Sequence, residues 1–579
     1  MAATAELEMT RLQKAVQTSW ETLRPFRMQR RALLREFAGH RYGKRGAPKP
    51  VYLNLIKQCA SAYQMALSGE DPRILATAEK QALKGFAFRY QQALNRLIKR
   101  IDLKASIDTS IMNAYFGVGI VKVCLADGFE VEISGAKYDL GYPSAKPISL
   151  EDWVHDTAVD CFDDVRFCGH LFSAPLERVK ADGRFDREVT KDLTPTSKYP
   201  RRRDGESSSV MDDGVDRDEI EDMILLGEFY LPFQNRIITV PVREDGQIET
   251  VRLNDEKWVG PENGPYHRLA FDDLLDNTMP VPPAYELFEL HLLYNDLLRK
   301  QARQARRQKD IYLFKGSNAD AVERANSTPD GEGCKTEDPD GVKFVKMGGA
   351  DQGTFAFASN VYELFNHAAG NLQAILGLGP MSSTAGQDRM IREDVSNKIA
   401  KMQGRVTRFT TGICKDLGLM LWNHEGWVEP GSEDLGNGIS YDTTWTPAHR
   451  RGMFVDYNIE VQAYSQAYKS PSDKSKAIIG FIQGVMLPAM PMLQQQGLSL
   501  SFQKIARMFS EYENLPEVID IIEAAQPLTD RDQGAGRGAS HQQMKPAITQ
   551  RTQIRQNAGP QQAPVEMPMN SGMQMAEMQ

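Results

Sequence analysis

The sequence predicts an α+β fold that is predominantly helical, and three observations support this prediction. Long segments place apolar residues at helical spacing, as in Leu12, Val16, Trp20 and Leu23. Shorter segments between them alternate apolar and polar residues and are rich in β-branched side chains, which is typical of half-buried strands. With 579 residues, 41% hydrophobic and 25% charged, the chain has the composition of a folded protein of several domains or one large composite body.

Charge and hydropathy argue against a free-standing nucleic-acid-binding protein, a secreted protein and a membrane protein. The chain carries 69 basic and 77 acidic side chains, a net charge of −8, whereas a free-standing nucleic-acid-binding protein usually has a basic balance. The N-terminal stretch MAATAELEMT does not resemble a signal peptide. The longest apolar run, residues 477–490, is too short to span a bilayer, so we expect no membrane insertion. The 6 cysteines form no CxxC motif, which fits reduced thiols in a reducing compartment.

The N-terminal part is predicted to be helical. Residues 1–50 form an N-terminal helical segment, and residues 51–67 form a second helix. Residues 71–116 predict one or two long helices, which open at Asp71-Pro72 because proline suits a first helical turn.

Strands are predicted next. Residues 117–133 alternate around Asp127-Gly128, which predicts a hairpin. Residues 151–181 predict two strands and a short helix, and the charged residues 181–219 predict a mobile surface loop. Residues 223–242 predict strands, whose prolines favour edge positions.

A strongly helical segment begins at Pro283. Its apolar stripe is expected to bury against neighbours, and it stops after Leu298, so the helix is expected to leave the core and project outward. The stripe consists of Leu287, Leu290, Tyr294 and Leu297.

The outward end of this helix is densely basic. From Arg299 to Lys309 the chain has only basic charges, as the stretch RKQARQARRQK shows. Two interpretations stand side by side: a solvated helix face, or a surface that contacts phosphates without reading bases.

No catalytic constellation is present in the sequence. It contains no GxxxxGK[ST], HExxH or GxSxG motif, and GLGPMS lacks the last glycine of a dinucleotide fingerprint. The pairs Asp163-Asp164 and Asp272-Asp273 are interpreted as turn or solvated residues, and PDGVK as a weak echo of a nuclease motif. Cys161 and Cys168, with two nearby histidines, have the wrong spacing for a zinc finger or ribbon. We therefore predict no catalytic residue, no metal site, no cofactor and no enzyme activity.

Five stretches carry a resemblance to a known family: REFAGHRYG, which is followed by KPVYLNLIKQCASAYQMAL, then YFGVGIVKV, WVHDTAVDCFDDVRF and AILGLGPMSSTAGQDRMIREDVSNKIAKMQGRVTRF. Their order resembles the portal (head–tail connector) protein family of tailed bacteriophages. The resemblance covers most of residues 25–525. One departure is Asp156-Thr157, where the family usually has Asp-Pro.

The resemblance implies a phage portal fold with wing, stem, clip and helical crown. The implied segments are the wing at residues 51–282, stem helix 1 at 283–309, the clip at 310–355, stem helix 2 at 356–377, the tunnel loop at 378–389, a long wing helix and β piece at 390–454, the crown at 455–525, and a disordered Gln- and Met-rich tail at 526–579.

The resemblance also implies a function. Portal proteins form a homo-oligomer, a dodecameric ring at one capsid vertex, through which double-stranded DNA is packaged and ejected without sequence recognition. The implied partners are the major capsid protein, the terminase that docks on the clip, and the tail adaptor proteins that later replace it. The implied location is the virion, after assembly in the host cytoplasm. The absence of the phosphate-binding motif GxxxxGK[ST] is consistent with this function, because the portal is a channel and the terminase hydrolyses the ATP that drives packaging.

Two sets of residues are implied to act on DNA. Rings of basic stem residues would lie near the channel or its outer wall, or would instead pair with acids of an adjacent subunit or a tail protein; they are Arg299, Arg303, Arg306, Arg307 and Lys309. The tunnel loop would approach the DNA with Pro380, Met381, Ser382, Ser383, Thr384 and Gln387, and Arg389 would add a phosphate contact.

Two other function classes stay open at this point. A nuclease or terminase component is opposed by the absent phosphate loop. An internal or scaffold-like virion protein is opposed by the mixed strand regions at residues 115–175 and 220–255, because scaffolds are largely helical.

Overall fold

The structure is a computed structural model. It describes residues 2–39, 52–69, 71–127, 130–133, 136–139, 141–196, 222–243, 247–314, 319–329, 332, 342–347, 349, 351–370, 385–434, 440–461 and 480. The chain divides into two compact units, Met1–Lys469 and Ser470–Gln579, and all described residues except Gly480 belong to the first.

Helices and strands are mixed along the chain, with more residues in helices, so the predicted α+β class is confirmed. The helices are α1 (Ala2–Thr22), α2 (Arg24–Ala38), α3 (Leu55–Leu67), α4 (Lys84–Arg100), α5 (Leu103–Phe116), α6 (Leu176–Ala181), α7 (Arg187–Lys191), α8 (Pro283–Arg306), α9 (Ala319–Ser327), α10 (Gln352–Ala368) and α11 (Ala385–Asn423). The strands are β1 (Ile74–Ala78), β2 (Gly119–Ala126), β3 (Glu130–Ile133), β4 (Ala136–Asp139), β5 (Tyr142–Ile148), β6 (Trp153–His155), β7 (Cys168–Pro175), β8 (Met223–Leu231), β9 (Arg236–Pro241), β10 (Asn254–Lys257), β11 (Tyr266–Leu269), β12 (Lys309–Phe314), β13 (Val342–Met347), β14 (Ser432–Asp434), β15 (Ser440–Asp442) and β16 (Tyr457–Val461).

The N-terminal helical segment is two helices that meet at Leu23. Pro25 lies in the first turn of α2, where its missing N–H cannot continue the hydrogen-bond ladder of α1. Leu23 itself is fully buried, and the apolar side of α1 joins the core that surrounds the larger sheet.

The larger sheet has five antiparallel strands in the order β10-β9-β8-β7-β6. The two strands that the sequence predicted at edges, β8 and β9, are therefore interior, and that prediction was wrong. Their prolines do not interrupt the ladder because Pro232 follows β8 and Pro241 is the last residue of β9.

A three-stranded sheet has the order β11-β2-β5. The predicted hairpin around Asp127 has a different partner: β2 pairs with β5, and the intervening β3 pairs with β4. The chain thus makes a longer excursion between β2 and β5 than a tight Asp-Gly turn would allow.

Two further predictions were wrong in their local structure. Residues 74–78 form the strand β1 and not a helix, and their buried and exposed side chains alternate as the strand pairs with β16. Within the predicted loop at 181–219, Arg187–Lys191 is helical, with the Asp186 side chain capping its first turn. Residues 197–221 lie outside the described part of the chain.

The pairing of β1 with β16 also corrects the implied crown. Residues 457–461 of the predicted crown are β16, and this strand lies in the first unit against β1. The predicted crown helices after residue 461 and the tail at 526–579 lie outside the described residues, apart from Gly480.

The long helix α11 crosses the main core. Its Trp422 joins an aromatic cluster with Tyr90, Trp445 and Tyr457, in which the rings of Tyr90 and Trp445 lie 5.1 Å apart. These contacts join α4, α11 and β16, segments that are far apart in the sequence.

Candidate nucleic-acid interface

The helix α8 begins inside the body and ends outside it. Its first half buries Ala284 and Leu287, while Leu290 and Tyr294 pack against the same core. Leu287, Leu290 and Tyr294 of the predicted apolar stripe are therefore on the packed side, as expected for a helix that emerges from a core, whereas Leu297 is not part of that core.

Two polar side chains interrupt the buried side of α8, at a spacing of one helical turn. The Asn295 side chain accepts a hydrogen bond from the backbone N–H of Leu53 at 2.9 Å and donates to the Leu53 carbonyl at 3.0 Å. The amide thus pairs with the backbone of one residue much as a neighbouring strand would, and it leaves neither backbone group unsatisfied.

The second polar side chain, His291, is fully buried one turn before Asn295. Its Nε2 lies 3.4 Å from Oε2 of Glu36, at the end of α2. Tyr52 contacts both: its ring meets the imidazole edge-on at 5.7 Å, and its hydroxyl donates to the Glu36 carbonyl at 2.6 Å. Burial raises the pKa of Tyr52, and the Glu36 carboxylate raises this pKa further. Together these contacts fix α8 against α2 at the point where α8 leaves the body.

The second half of α8 carries the basic residues that the sequence singled out. Arg299 is mostly covered and forms an ion pair with Asp296 in the preceding turn. Arg303, Arg306 and Arg307 are exposed, and they have no ion-pair partner within the described ranges.

Arg303 has cations on every side along the helix. The residues three and four positions away in both directions are Arg299, Lys300, Arg306 and Arg307. Like charges at these spacings each destabilise a helix by about 0.2–0.5 kcal/mol. Such a cluster is suited to an anionic or aromatic surface, and a phosphate backbone is one such surface.

The part of α8 from Leu293 to Arg306 lines an open groove of about 640 Å³. Leu293, Leu297 and Ala302 form its apolar part. Its charged part comprises Asp296, Arg299, Lys300, Arg303 and Arg306. Lys300 was not among the basic residues predicted to act on DNA, although it belongs to the same basic run.

The helix is shorter than the predicted stem helix at 283–309. It ends at Arg306, and Arg307 is its C-cap residue. Lys309 is the first residue of β12, so it is not part of the basic helix. β12 pairs antiparallel with β13, in a register that places Lys309 opposite Met347. The chain therefore changes from helix to strand at the end of the basic run.

The predicted clip contains this two-stranded sheet and one unpredicted helix. α9 lies between β12 and β13, within the predicted clip at residues 310–355, and its Val322 is buried. The chain then returns in α10, which packs against α8 through Tyr362 and Tyr294, with ring centroids 5.6 Å apart.

The second stem helix differs from its predicted bounds of 356–377. α10 begins at Gln352, where the Asp351 side chain accepts from the Thr354 N–H and caps the helix, and it ends at Ala368. Its exposed residues include Phe355, Phe357 and Leu364, so α10 presents apolar side chains beyond the face that packs on α8.

The structure divides the predicted tunnel-loop residues into two groups. Pro380, Met381, Ser382, Ser383 and Thr384 lie outside the described residues. Gln387 and Arg389 are backbone-helical, because α11 begins at Ala385, so their prediction as loop residues was wrong.

The acidic pair at 272–273 is engaged in ion pairs. Asp273 contacts Arg268 and Arg405, and Asp272 lies 3.4 Å from the ammonium of Lys401. These contacts hold the loop before α8 against α11. Asp156, which precedes Thr157 where the portal family usually has Asp-Pro, also forms an ion pair. The Arg166 guanidinium donates two hydrogen bonds to the Asp156 carboxylate and lowers its pKa.

The cysteine and histidine residues near β6 and β7 are not assembled as ligands. His155 and Cys168 are buried, whereas Cys161 is exposed. The Trp153 indole N–H donates to Nδ1 of His155 at 3.0 Å, and burial lowers the pKa of His155 to about 3. Within the described ranges, no group of three or more His, Cys, Asp or Glu side chains has the arrangement of a metal site.

The polar junction of His291 and Asn295 was missed by the sequence-based argument. A signal for it is present: two polar residues four positions apart within an otherwise apolar helical face. That pattern indicates buried hydrogen bonding, but it does not identify Leu53 and Glu36 as the partners.

No protein-family model matches the chain, and no curated protein sequence matches it either. In the described part of the chain, no helix is both long enough and apolar enough to cross a membrane.

Proposed function

We propose that this chain is a portal protein, a subunit of a ring that forms the channel for double-stranded DNA at one capsid vertex. The observation that carries the proposal is the arm formed by α8, the β12–β13 sheet and α10. This arm starts in a large α+β body, ends in a small β module and returns to the body. This order of elements is the one that the resemblance leads us to expect for a stem and clip, and it supports the proposal.

The anchoring of the arm supports a mechanical role. A conduit must keep its shape while DNA moves through it, so the stem has to meet the body at a fixed angle. The buried contacts of His291 and Asn295 supply such a joint, because they tie α8 to Glu36 and Leu53 by directed hydrogen bonds.

DNA contact in this proposal is independent of base sequence. Exposed arginines at the outer half of α8 suit phosphate oxygens, and the uncharged residues of the stretch at 380–384 suit sliding contact. The proposed partners are the major capsid protein, a terminase and tail adaptor proteins, and the proposed location is the virion. The proposal includes no catalytic step.

Negative-stain electron microscopy of the purified chain, combined with mass measurement, tests this function. We expect rings of about twelve subunits around a central hole, a closed cyclic assembly. In particles assembled with capsid protein, we expect one such ring at a single vertex. A chain that stays a compact dimer, and that capsid protein does not recruit, would contradict the proposal.

A further inference from the structure

The outer surface of α10 is unusually apolar for an exposed helix. Phe357 and Leu364 are 51% and 57% exposed and lie seven residues apart, so they form one stripe along the helix. From Gln352 to Ala368, Glu363 is the only acidic residue, and there is no lysine or arginine. A helix with apolar residues on its packed face and on an outer face is normally covered on both.

The outer surface of α8 offers a matching stripe. Leu293 is 41% exposed, and Lys300 lies seven residues further along the same side. Both residues line the groove whose apolar part is bordered by cations. This stripe is apolar near the body and cationic near the tip.

The two stripes lie at the same levels of the arm. The contact between Tyr294 and Tyr362 sets the relative position of the two helices. Because the chain reverses in the antiparallel β12–β13 sheet between them, α8 and α10 run in opposite directions. At about 1.5 Å of rise per residue, Leu293 is therefore within one residue of the level of Leu364, and Lys300 is within one residue of the level of Phe357. Near the body, Leu293 of α8 is thus at the level of Leu364 of α10, so two apolar residues are at one level. Near the tip, the cation Lys300 is at the level of the aromatic ring of Phe357.

We propose that the α10 stripe of one copy packs on the α8 stripe of a second copy of this chain, with Lys300 and Arg303 covering the ring of Phe357. This inference rests on the proposed ring, because rotation about an axis along the arm keeps equivalent levels aligned. The contact joins two different faces, which is the heterologous type that closes into a ring. A cation over an aromatic ring contributes about 0.5–2 kcal/mol, and the aliphatic part of Lys300 covers further apolar surface.

This contact explains the basic run without requiring all of it to face DNA. DNA is the competing occupant, but phosphates leave Phe357 and Leu364 exposed to water. A second copy covers the apolar stripe and supplies a partner for the crowded cations at the same time.

Disulfide cross-linking of the full-length chain tests the contact. Leu293→Cys and Leu364→Cys are combined in a background with Cys161→Ser and Cys334→Ser, and a mild oxidant is added. We expect a ladder of covalent multimers on a denaturing gel, whereas each single variant stays monomeric because a heterologous contact does not bring identical residues together. Dimers from a single variant, or only an intrachain disulfide, would overturn the proposal. Rings without cross-links would overturn this contact and leave the proposed function standing. Absence of rings and cross-links, both in the purified chain and in particles assembled with capsid protein, would overturn both.

A pair of matched substitutions gives a second measurement. Phe357→Asp is expected to weaken association by about tenfold or more, measured by mass photometry over a dilution series. Phe355→Asp is the control, because Phe355 is also exposed but lies on the other side of α10. Equal effects of the two variants, or no effect of Phe357→Asp, would contradict the proposal.

Discussion

The guanidinium of Arg27 lies 3.6 Å above the ring of Trp20, and the two side chains lock the junction of α1 and α2. Arg27 is fully buried, and its nitrogens donate to the backbone carbonyls of Trp20, Leu150 and Trp153 at 2.9, 3.1 and 2.9 Å. One side chain therefore ties the first helix pair to the segment that leads into the larger sheet.

Replacing Arg27 by methionine is expected to destabilise the body strongly. Three buried carbonyls lose their donors, at about 1 kcal/mol each, so the free energy of unfolding falls by about 3 kcal/mol. Urea unfolding at constant protein concentration measures the loss. Arg24→Met is the control, because Arg24 lies on the exposed side of the same helix; similar losses in both variants would refute the role of Arg27.

Asn295→Leu is expected to loosen the joint between α8 and the body. The backbone N–H and carbonyl of Leu53 lose their partner, and this costs about 2 kcal/mol. Hydrogen exchange at residues 52–54 and urea unfolding report the change. Asn423→Leu serves for comparison, since Asn423 is exposed at the end of α11, away from the α8 joint and the α10 stripe. Unchanged exchange in Asn295→Leu would show that the hydrogen bonds do not hold the joint.

Stability is expected to fall as the pH decreases from about 6.5 toward 4, partly because of His170. Burial, with a smaller contribution from Lys122, lowers the pKa of His170 to about 4 from its ordinary value of 6.5. Between these values the unfolded chain binds the proton and the folded chain does not, so acid favours unfolding by at most roughly 3 kcal/mol.

The variant His170→Gln tests the assignment of this pH dependence. We expect the urea midpoint of the variant to vary less with pH between 4 and 6.5 than that of the wild type. Both proteins should still lose stability below this range, because ion pairs lower the pKa of Asp156 and Asp273. Parallel pH profiles of the two proteins above pH 4 would exclude His170 as the cause.

Gly169→Ala is expected to disrupt the centre of the larger sheet. An added Cβ would lie 2.1 Å from the carbonyl oxygen of Glu228 and 2.7 Å from the Phe229 ring, so β7 and β8 would have to separate. Such overpacking costs about 1–3 kcal/mol, measured as a lower thermal midpoint. Gly85→Ala is a control of opposite sign: its Cβ meets nothing within 4 Å in α4, and we expect a gain of about 0.5–1 kcal/mol.

Removal of residues 380–384 is expected to spare ring assembly and to reduce DNA packaging or retention. This deletion leaves α11 intact, because α11 begins at Ala385. The DNA content of purified particles is the measurement, and replacement of the same five residues by glycine and serine separates side-chain contact from loop length. Normal DNA content in the deletion variant would remove the loop from the proposed mechanism.

The sequence predicted helices well where the apolar residues of one continuous segment lie on one face of the helix. α3 and the emergence of α8 from the core follow from apolar spacing, since helical periodicity needs no distant partner. The basic cluster on α8 is likewise a local pattern. Its exposure followed from the end of the apolar stripe at Leu298.

The sequence alone did not determine which strands pair when they are far apart along the chain. Ile74–Ala78 is a short alternating segment beside long helices, and only pairing with Tyr457–Val461 makes it a strand. The same limit applies to β2, whose nearest strand in sequence is not its partner. Strand pairing depends on which edges meet in space, and short alternating segments are compatible with several partners.

By itself, the sequence determined the α+β class, the outward basic helix and the resemblance on which the proposed function draws. Only the tertiary structure decided that α8 stops at Arg306, that Asn295 pairs with Leu53, and that the exposed stripes of α8 and α10 lie at matching levels. The physical reason is that periodicity is a property of neighbouring residues, whereas hydrogen-bond partners, strand order and relative helix position are set by how distant segments pack.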